Sequence, residues 1–238
     1  RTKNNPLLLG DPGVGKTAII EGLAKKIHLG DVPDTLLHKK IWNIDLAAMI
    51  AGTMYRGEFE ARLKQLLEEV KDDPNSIIFI DEVHNVIGSG SASGSLDTAN
   101  ILKPSLARCE IKLIGATTYA EYKKHIHNDP AFERRLQPVA VKEPSTEKTR
   151  EILFGIKHYY ENFHKVRILD NALSAAIELT DRYIKDKRQP DKAIDVIDEA
   201  SAKLKVAQVH NTENEKIQEL EQEILRVKKQ KHTAVIQE

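Results

Sequence analysis

The residues best equipped to do chemistry are Gly10-Asp11-Pro12-Gly13-Val14-Gly15-Lys16-Thr17, where Gly10 and Gly15 are separated by four residues and followed by Lys and Thr. Glycines let a tight turn point backbone N–H groups at phosphate oxygens, a space that larger side chains would fill. Lys16 would bring positive charge to the β- and γ-phosphates. Thr17, at the start of a helix whose dipole favours anions, would bring a hydroxyl to Mg²⁺. The pattern predicts a nucleoside triphosphate site. A second set, Ile77-Ile78-Phe79-Ile80-Asp81-Glu82, reads as a buried parallel strand whose carboxyl end opens on a ligand crevice. Asp81 would hold Mg²⁺ directly or through water, and Glu82 would polarise the attacking water, a division of labour that suits phosphoryl transfer. An acid pair after a strand is also an ordinary solvated turn; the phosphate loop upstream, with a strand and a helix between, gives it meaning. The extra glutamate argues for hydrolysis over passive binding.

Three further stretches leave alternatives open. Lys112-Leu113-Ile114-Gly115-Ala116-Thr117-Thr118 is an apolar strand ending in hydroxyls. Beside the acidic strand, a threonine would face the γ-phosphate; a turn or helix cap fits the local sequence equally well. Arg134 and Arg135 end a short helix ahead of the strand Val139-Ala140-Val141, and such pairs are either solvated or salt-bridged, or act as arginine fingers across a subunit interface. Tyr55 stands on a loop framed by Gly52 and Gly57. Taken alone it favours anchorage in the core over display to a partner, because tyrosines are usually at least partly buried.

The elements that must position these residues are readable from periodicity. Pro6–Leu9 is the strand entering the phosphate loop, and Thr17–Leu29 a helix with apolar residues at 19, 20, 23, 24 and 27, closed by Gly30. Residues 41–45 read as a strand, 46–50 as a short helix and 58–71 as a longer one. The Gly88–Ser95 run is a featureless loop, and Asp97 caps a helix to Ala107 that Pro104 must bend or shorten. From Pro144 the pattern is purely helical: Ser145 caps a helix to about 163, Asp170 another to about 184, and Pro190 opens a third carrying Ala193, Ile194, Ile197 and Leu204. Beyond His210, Ile217, Leu220, Ile224 and Val227 form a heptad seam too short to be stable alone. The expected class is α/β: a three-layer αβα nucleotide-binding unit with a parallel sheet over 1–143, an all-α lid over 144–208, and the start of a truncated coiled-coil arm over 209–238.

The 238 residues suffice for a large domain with a smaller satellite. Lys plus Arg number 36 and Asp plus Glu number 36, with no basic block to follow a phosphate backbone, which disfavours nucleic acid as a partner. Cys109 has no second cysteine to pair with and reads as a half-buried thiol. No apolar run approaches a membrane span or secretory signal, and a reducing, cytosol-like compartment fits. The chain opens at Arg1 close to its first strand and closes within a helical pattern, as expected of an excised fragment.

Taken together, the phosphate loop, Asp81-Glu82, Gly115-Ala116-Thr117-Thr118, Glu133-Arg134-Arg135 and Gln189-Pro190-Asp191-Lys192-Ala193-Ile194-Asp195 resemble an AAA+ module. More narrowly, Tyr55-Arg56-Gly57-Glu58-Phe59-Glu60, Ile101-Leu102-Lys103-Pro104 and the stretch from Pro190 to Ala200 resemble the first ATPase module of the Clp unfoldases. Ser105-Leu106-Ala107-Arg108 and the arm from Arg226 are more like ClpC than the disaggregase ClpB. The resemblance implies a P-loop AAA+ fold and a Mg²⁺-dependent ATPase using ATP/ADP. It implies that Gly10, Asp11, Pro12, Gly13, Val14, Gly15, Lys16, Thr17 and Ala18 surround the nucleotide with Asp81 and, from the lid, Ile194. Thr17 and Asp81 would hold Mg²⁺, and Lys16 and Glu82 keep the roles given above. Thr118, or less readily Thr117, would be the sensor of the γ-phosphate, and Arg134 with Arg135 would reach the ATP of a neighbour in a hexameric ring.

By the same resemblance Tyr55 becomes the pore aromatic that grips an extended polypeptide, reversing its reading as an anchor, and 88–95 a second pore-facing loop. Unfolded or tagged proteins would be substrates, adaptors and a ClpP-type peptidase partners, and the cytoplasm or a plastid stroma the compartment; no nucleic acid or membrane is implied. There are two departures. Met54 stands where a basic residue is common, and Asp191-Lys192 where a lid sensor arginine is found elsewhere, a loss familiar in first Clp modules. The rival readings are a nucleotide-dependent switch with little turnover and an AAA+ loader acting on nucleic acid, the latter opposed by the neutral charge.

Overall fold

The computed structural model describes residues 4–51, 56–87 and 98–208. Tyr55 with Met54 and Gly52, the 88–95 loop, Asp97 and the arm beyond 208 lie outside the described residues. The chain divides into two units, Arg1–Glu143 and Pro144–Glu238.

The first unit is built on five parallel strands: β1 (Asn5–Leu9), β2 (Lys40–Asn43), β3 (Ser76–Ile80), β4 (Leu113–Thr117) and β5 (Leu136–Ala140), in spatial order β2-β3-β4-β1-β5. Strand residues alternate between two apolar faces. Leu7, Leu9, Ile78, Ile80 and Leu113 point into one cluster with Phe59, Leu63 and Leu67 of α3 (Arg56–Asp72) and Leu102 and Leu106 of α5 (Thr98–Ala107). Leu8, Ile77, Phe79, Ile114 and Ala116 point the other way, toward Ile20 and Leu23 of α1 (Lys16–Leu29). This is the expected three-layer arrangement, and because both faces are covered, the three inner strands carry apolar residues at nearly every position. Short helices α2 (Leu46–Ala51) and α4 (His84–Ile87) follow β2 and β3. After β4 come α6 (Tyr119–Glu121), a π-helical turn (Tyr122–Ile126) and α7 (Pro130–Glu133).

Gly30 closes α1 in the left-handed region at φ 73°, its N–H bonded to the Ile27 carbonyl, as the sequence predicts. Two local expectations are corrected and one is met. β2 stops at Asn43 rather than 45, because Asp45 turns its carboxylate to the N–H of Ala48 (2.9 Å) at the start of α2. α5 reaches Ala107 as expected, running three residues past Pro104 with the Arg108 N–H on the Pro104 carbonyl. Cys109 is exposed rather than half-buried: it follows that helix at φ 56°, outside its apolar stripe.

The second unit contains α8 (Thr146–His164), α9 (Asp170–Tyr183) and a helix over 191–208, α10. Ser145 caps α8 by accepting the Lys148 N–H. Asp170 does not cap α9; Leu169 holds that position, and the Asp170 carboxylate pairs with Lys157 at 2.9 Å from within the first helical turn. Leu153, Val166, Ile168, Leu173, Ile177, Ala193 and Ile197 form the unit's own core.

Leu63 is 1% exposed between α3 and the sheet. Leu63→Ala is expected to cost about 2–5 kcal/mol, lost transfer energy plus an unfilled cavity, seen as a lower urea midpoint at unchanged slope.

Candidate functional site

The phosphate loop joins β1 to α1. Gly13 and Gly15 have φ of 81° and 90°, where a side chain would be strained. Gly10 is required for another reason: a Cβ there would lie 2.5 Å from the Val141 carbonyl oxygen and 2.9 Å from Val14 Cγ2. Its N–H bonds the Thr117 carbonyl at 3.3 Å, fixing the loop to the end of β4. The helix that follows has no side chain capping its amino end and no acid in its first turn. Its N–H groups and positive dipole end therefore stay open to an anion.

Lys16 folds over the loop, its Nζ donating to the carbonyls of Gly10 (3.1 Å) and Asp11 (3.0 Å). Burial lowers its pKa below the usual lysine value, against the opposing pull of Asp81, Asp11 and Glu82. Thr17 Oγ1 donates to Asp81 Oδ2 at 2.5 Å, so helix α1 and strand β3 present a hydroxyl and a carboxylate to one point. Two hard oxygen donors converging beside a phosphate loop fit Mg²⁺, which takes a few protein oxygens and completes its shell with water and phosphate. The other Asp81 oxygen accepts the Glu82 N–H at 2.8 Å. Glu82 sits at φ 46°, a left-handed conformation unusual for a residue with a side chain, and its carboxylate accepts from Asn85 Nδ2 at 3.0 Å.

β4 lies between β3 and β1 and brings its hydroxyls to the same edge. Thr117 is 2% exposed, with Oγ1 2.9 Å from His84 Nδ1. Thr118 Oγ1 accepts the Glu121 N–H at 3.2 Å, so the helix-cap reading holds for this side chain. Lys16, Thr17, Asp81, Glu82 and Thr118 thus gather at the carboxyl ends of β1, β3 and β4. The arginine pair does not join them. Arg135 immediately precedes β5, its carbonyl accepting from Asn5 Nδ2, and Asn5 opens β1 while Gly10 follows its end. The pair therefore sits across the sheet from the loop, about 16 Å away along the strand, five residues at roughly 3.3 Å each. Arg134 is exposed and Arg135 half-buried, and among the described residues no carboxylate pairs with either. Ile194 is half-buried against the core of the second unit. His84 and Asn85, which touch Thr117 and Glu82, escaped the sequence reading; an imidazole two residues beyond the acid pair was the available signal.

The sequence profile of the ATPase family associated with various cellular activities (AAA) matches residues 6–138, and that of an AAA lid domain matches 145–238. This chain is a member of the AAA family. It is 57% identical over 230 residues to the chaperone protein ClpB of Aquifex aeolicus, covering 97% of this chain and 23% of that protein. It is 54% identical over 235 residues to the chloroplastic chaperone ClpC1 of Arabidopsis thaliana (99% and 25%) and 53% identical to the ClpC ATP-binding subunit of the Clp protease of Staphylococcus epidermidis (99% and 28%). The AAA chain therefore spans about a quarter of the length of these curated relatives, and both chaperone types are similar to it at comparable identity. Among solved structures, the S. cerevisiae Hsp104–ADP complex superposes with a TM-score of 0.79 at 47% identity, covering 87% of this chain and 36% of that one. The closed state of Hsp104 with ATPγS and FITC casein gives the same values.

Gly10 and Gly22 separate steric need from mere permissiveness. Gly10→Ala is expected to destabilise by about 1–3 kcal/mol through overpacking. Gly22→Ala, in mid-helix with nothing within 4 Å of the added carbon, is expected to stabilise by about 0.5–1 kcal/mol. Urea unfolding of the two variants checks both signs.

Proposed function

We propose that this AAA chain is the ATP-hydrolysing module of a ring-forming protein unfoldase, in which hydrolysis drives loops that pull polypeptide through a central pore. The observation that carries the catalytic part is the meeting of Thr17 with Asp81 at the phosphate loop that Lys16 folds over, with Glu82 one residue on. In this reading the open N–H groups of the loop and of α1, from Gly10 to Ala18, hold the phosphates, and Lys16 turns from the loop carbonyls to the β/γ-phosphates. Thr17 and Asp81 hold Mg²⁺, which when bound neutralises charge developing on the phosphate oxygens. Glu82 takes a proton from the attacking water, and Thr118 faces the γ-phosphate with the hydroxyl proton that its capping bond leaves free. Ile194 contributes from the lid.

Arg134 and Arg135 act on the nucleotide of a neighbouring copy. Their place at the opposite edge of the sheet supports this, since they stand far from their own chain's loop, and it makes a ring, a hexamer by the family resemblance, the active form. Tyr55 grips the substrate polypeptide in this reading, and adaptors or a ClpP-type peptidase are partners of the whole protein. A cytoplasmic or plastid-stromal setting agrees with the chloroplastic and bacterial relatives, and among the described residues no helix is long and apolar enough to cross a membrane. One observation favours a second reading, a nucleotide-dependent switch with little turnover: the Glu82 carboxylate, though exposed, is engaged by a hydrogen bond from the Asn85 amide.

Glu82→Gln is expected to lower ATP turnover by at least about 100-fold, the scale of a lost general base, with ATP still bound; unchanged turnover would remove Glu82 from the chemistry. Turnover per chain is expected to rise with protein concentration as sedimentation shows assembly, and Arg134→Ala to suppress it by about 1,000-fold without loss of ATP binding. A monomer whose turnover depends neither on concentration nor on Arg134 would leave a nucleotide-binding switch.

A further inference from the structure

We propose that His84 is a positioning residue for Glu82, holding the turn that carries this carboxylate against the end of β4 through its hydrogen bond to Thr117. The inference rests on the reading of Glu82 as the base. Glu82 at φ 46° occupies a conformation that costs energy for any residue but glycine, and such a residue persists only where its surroundings fix it. Five hydrogen bonds bear on it, two of them within the turn from Asn85, whose N–H and Nδ2 donate to the Glu82 carbonyl (2.9 Å) and carboxylate (3.0 Å). The Asp81 carboxylate accepts the Glu82 N–H at 2.8 Å, but this bond lies within the turn and does not attach it to anything. Two others tie the turn to the neighbouring strand: the Val83 N–H to the Ala116 carbonyl at 3.0 Å, and His84 Nδ1 to Thr117 Oγ1 at 2.9 Å. The first of these is backbone and available to any sequence. The second requires an imidazole at 84 and a hydroxyl at 117, and the hydroxyl is almost completely buried, so loss of the imidazole strands it without a partner.

Thr117 has a second duty that makes this bond more than local packing. Its carbonyl accepts the Gly10 N–H at 3.3 Å, so one residue anchors both the Glu82 turn and the first glycine of the phosphate loop. On its other side the His84 ring lies over that of His125, with centroids 6.3 Å apart and planes at 23°. His125 belongs to the π-helical turn 122–126, an irregularity frequent at functional sites. Its Nε2 is 3.1 Å from a carboxylate oxygen of Glu121, whose own N–H is bonded to Thr118 Oγ1. His84 is therefore the side chain through which the turn bearing Glu82, the buried end of β4 and the segment carrying Thr118 are held in one register. It reaches no point where nucleotide would react; its influence passes through Glu82.

The test is single-turnover ATP hydrolysis by the full chain, with protein in excess, together with titration of a fluorescent ATP analogue and a thermal melt. The variants are His84→Ala, His84→Asn, Thr117→Val and the double variant His84→Ala/Thr117→Val. His84→Ala and Thr117→Val are each expected to slow hydrolysis by about tenfold, the scale of one lost hydrogen bond, with analogue affinity unchanged within about twofold. The double variant is expected to be no slower than either single one, as for two partners of one interaction. His84→Asn, whose amide nitrogen falls near the position of Nδ1, is expected to recover most of the rate. If His84→Ala proves unfolded, Thr117→Val, which deletes the hydroxyl at nearly constant shape, carries the same test. The proposal is overturned if the single variants hydrolyse at the parent rate, if their losses multiply in the double variant, or if His84→Asn is as slow as His84→Ala. Glu82→Gln in the same assay separates the two levels. Parent-like hydrolysis there would remove the reading on which the proposal rests, whereas an inactive Glu82→Gln beside a fully active His84→Ala would sink the role of His84 alone.

Discussion

The constraint on which the site depends is the insertion of β4 between β1 and β3. The phosphate loop leaves β1 and the acid pair leaves β3, and these strands are not hydrogen-bonded neighbours; each pairs with β4 instead. Leu9 is in register with Thr117 and Ile80 with Gly115, so the ends of all three strands arrive at nearly one level. Only then can Thr17, one residue into α1, reach the Asp81 carboxylate. Gly115 shows how tightly this is drawn: a Cβ there would meet Leu7 Cδ1 at 2.9 Å and Val83 Cγ1 at 3.1 Å, both on fully buried side chains. The missing side chain lets Val83 settle on the sheet, and Val83 is the residue that follows Glu82. Close packing at one glycine of β4 is thereby coupled to the backbone conformation of Glu82, the acid that the proposed function makes the base.

The electrostatics follow from the same convergence. Burial disfavours the charge on Lys16, while the carboxylates of Asp81, Asp11 and Glu82 favour it, and burial prevails by leaving the pKa lowered. A triphosphate entering the loop would add negative charge beside that ammonium and reverse the balance, which makes phosphate binding and Lys16 protonation mutually reinforcing. The two acids need the opposite compensation. Asp81 obtains part of it from the Thr17 hydroxyl and the Glu82 N–H, and a divalent cation supplies the rest in the proposed function. Glu82 obtains its share from the Asn85 amide, a neutral partner that holds the carboxylate without neutralising it.

Much of this was legible in the sequence because it is encoded by residues near one another in the chain. The glycine spacing fixed the phosphate loop, four apolar residues before two acids marked a doubly covered strand, and Ser145 and Gly30 announced helix ends with side-chain and backbone chemistry of their own. What escaped depends on long-range placement. His84 looks like any turn residue until β4 brings Thr117 to it from 33 positions away. The place of the arginine pair at the amino end of β5, away from the loop, likewise comes only from the parallel pairing of β5 with β1. The errors at Asp45, Asp170 and Cys109 share a different cause: each lies at an element boundary, where one hydrogen bond or one left-handed residue decides whether a side chain caps, pairs or faces solvent.

The lid carries a constraint of its own at the position where the family resemblance expects a sensor arginine. Asp191 and Lys192 stand there instead, and the Lys192 side chain is 6% exposed and paired with Asp181 at 2.8 Å, with a further contact to the Ile184 carbonyl at 3.4 Å. Burial pushes the Asp181 carboxyl up, but hydrogen bonds from Lys192 and Gln189 outweigh it and leave its pKa below the usual carboxylate value. Freeing this ammonium for a phosphate would break its pairing with Asp181 beside the core that packs Ala193 and Ile197 with α8 and α9. The cation is thus committed to holding α10 to α9 inside its own unit. In the proposed function, positive charge for the nucleotide would then come from Lys16 in the loop and from Arg134 and Arg135 of a neighbouring copy.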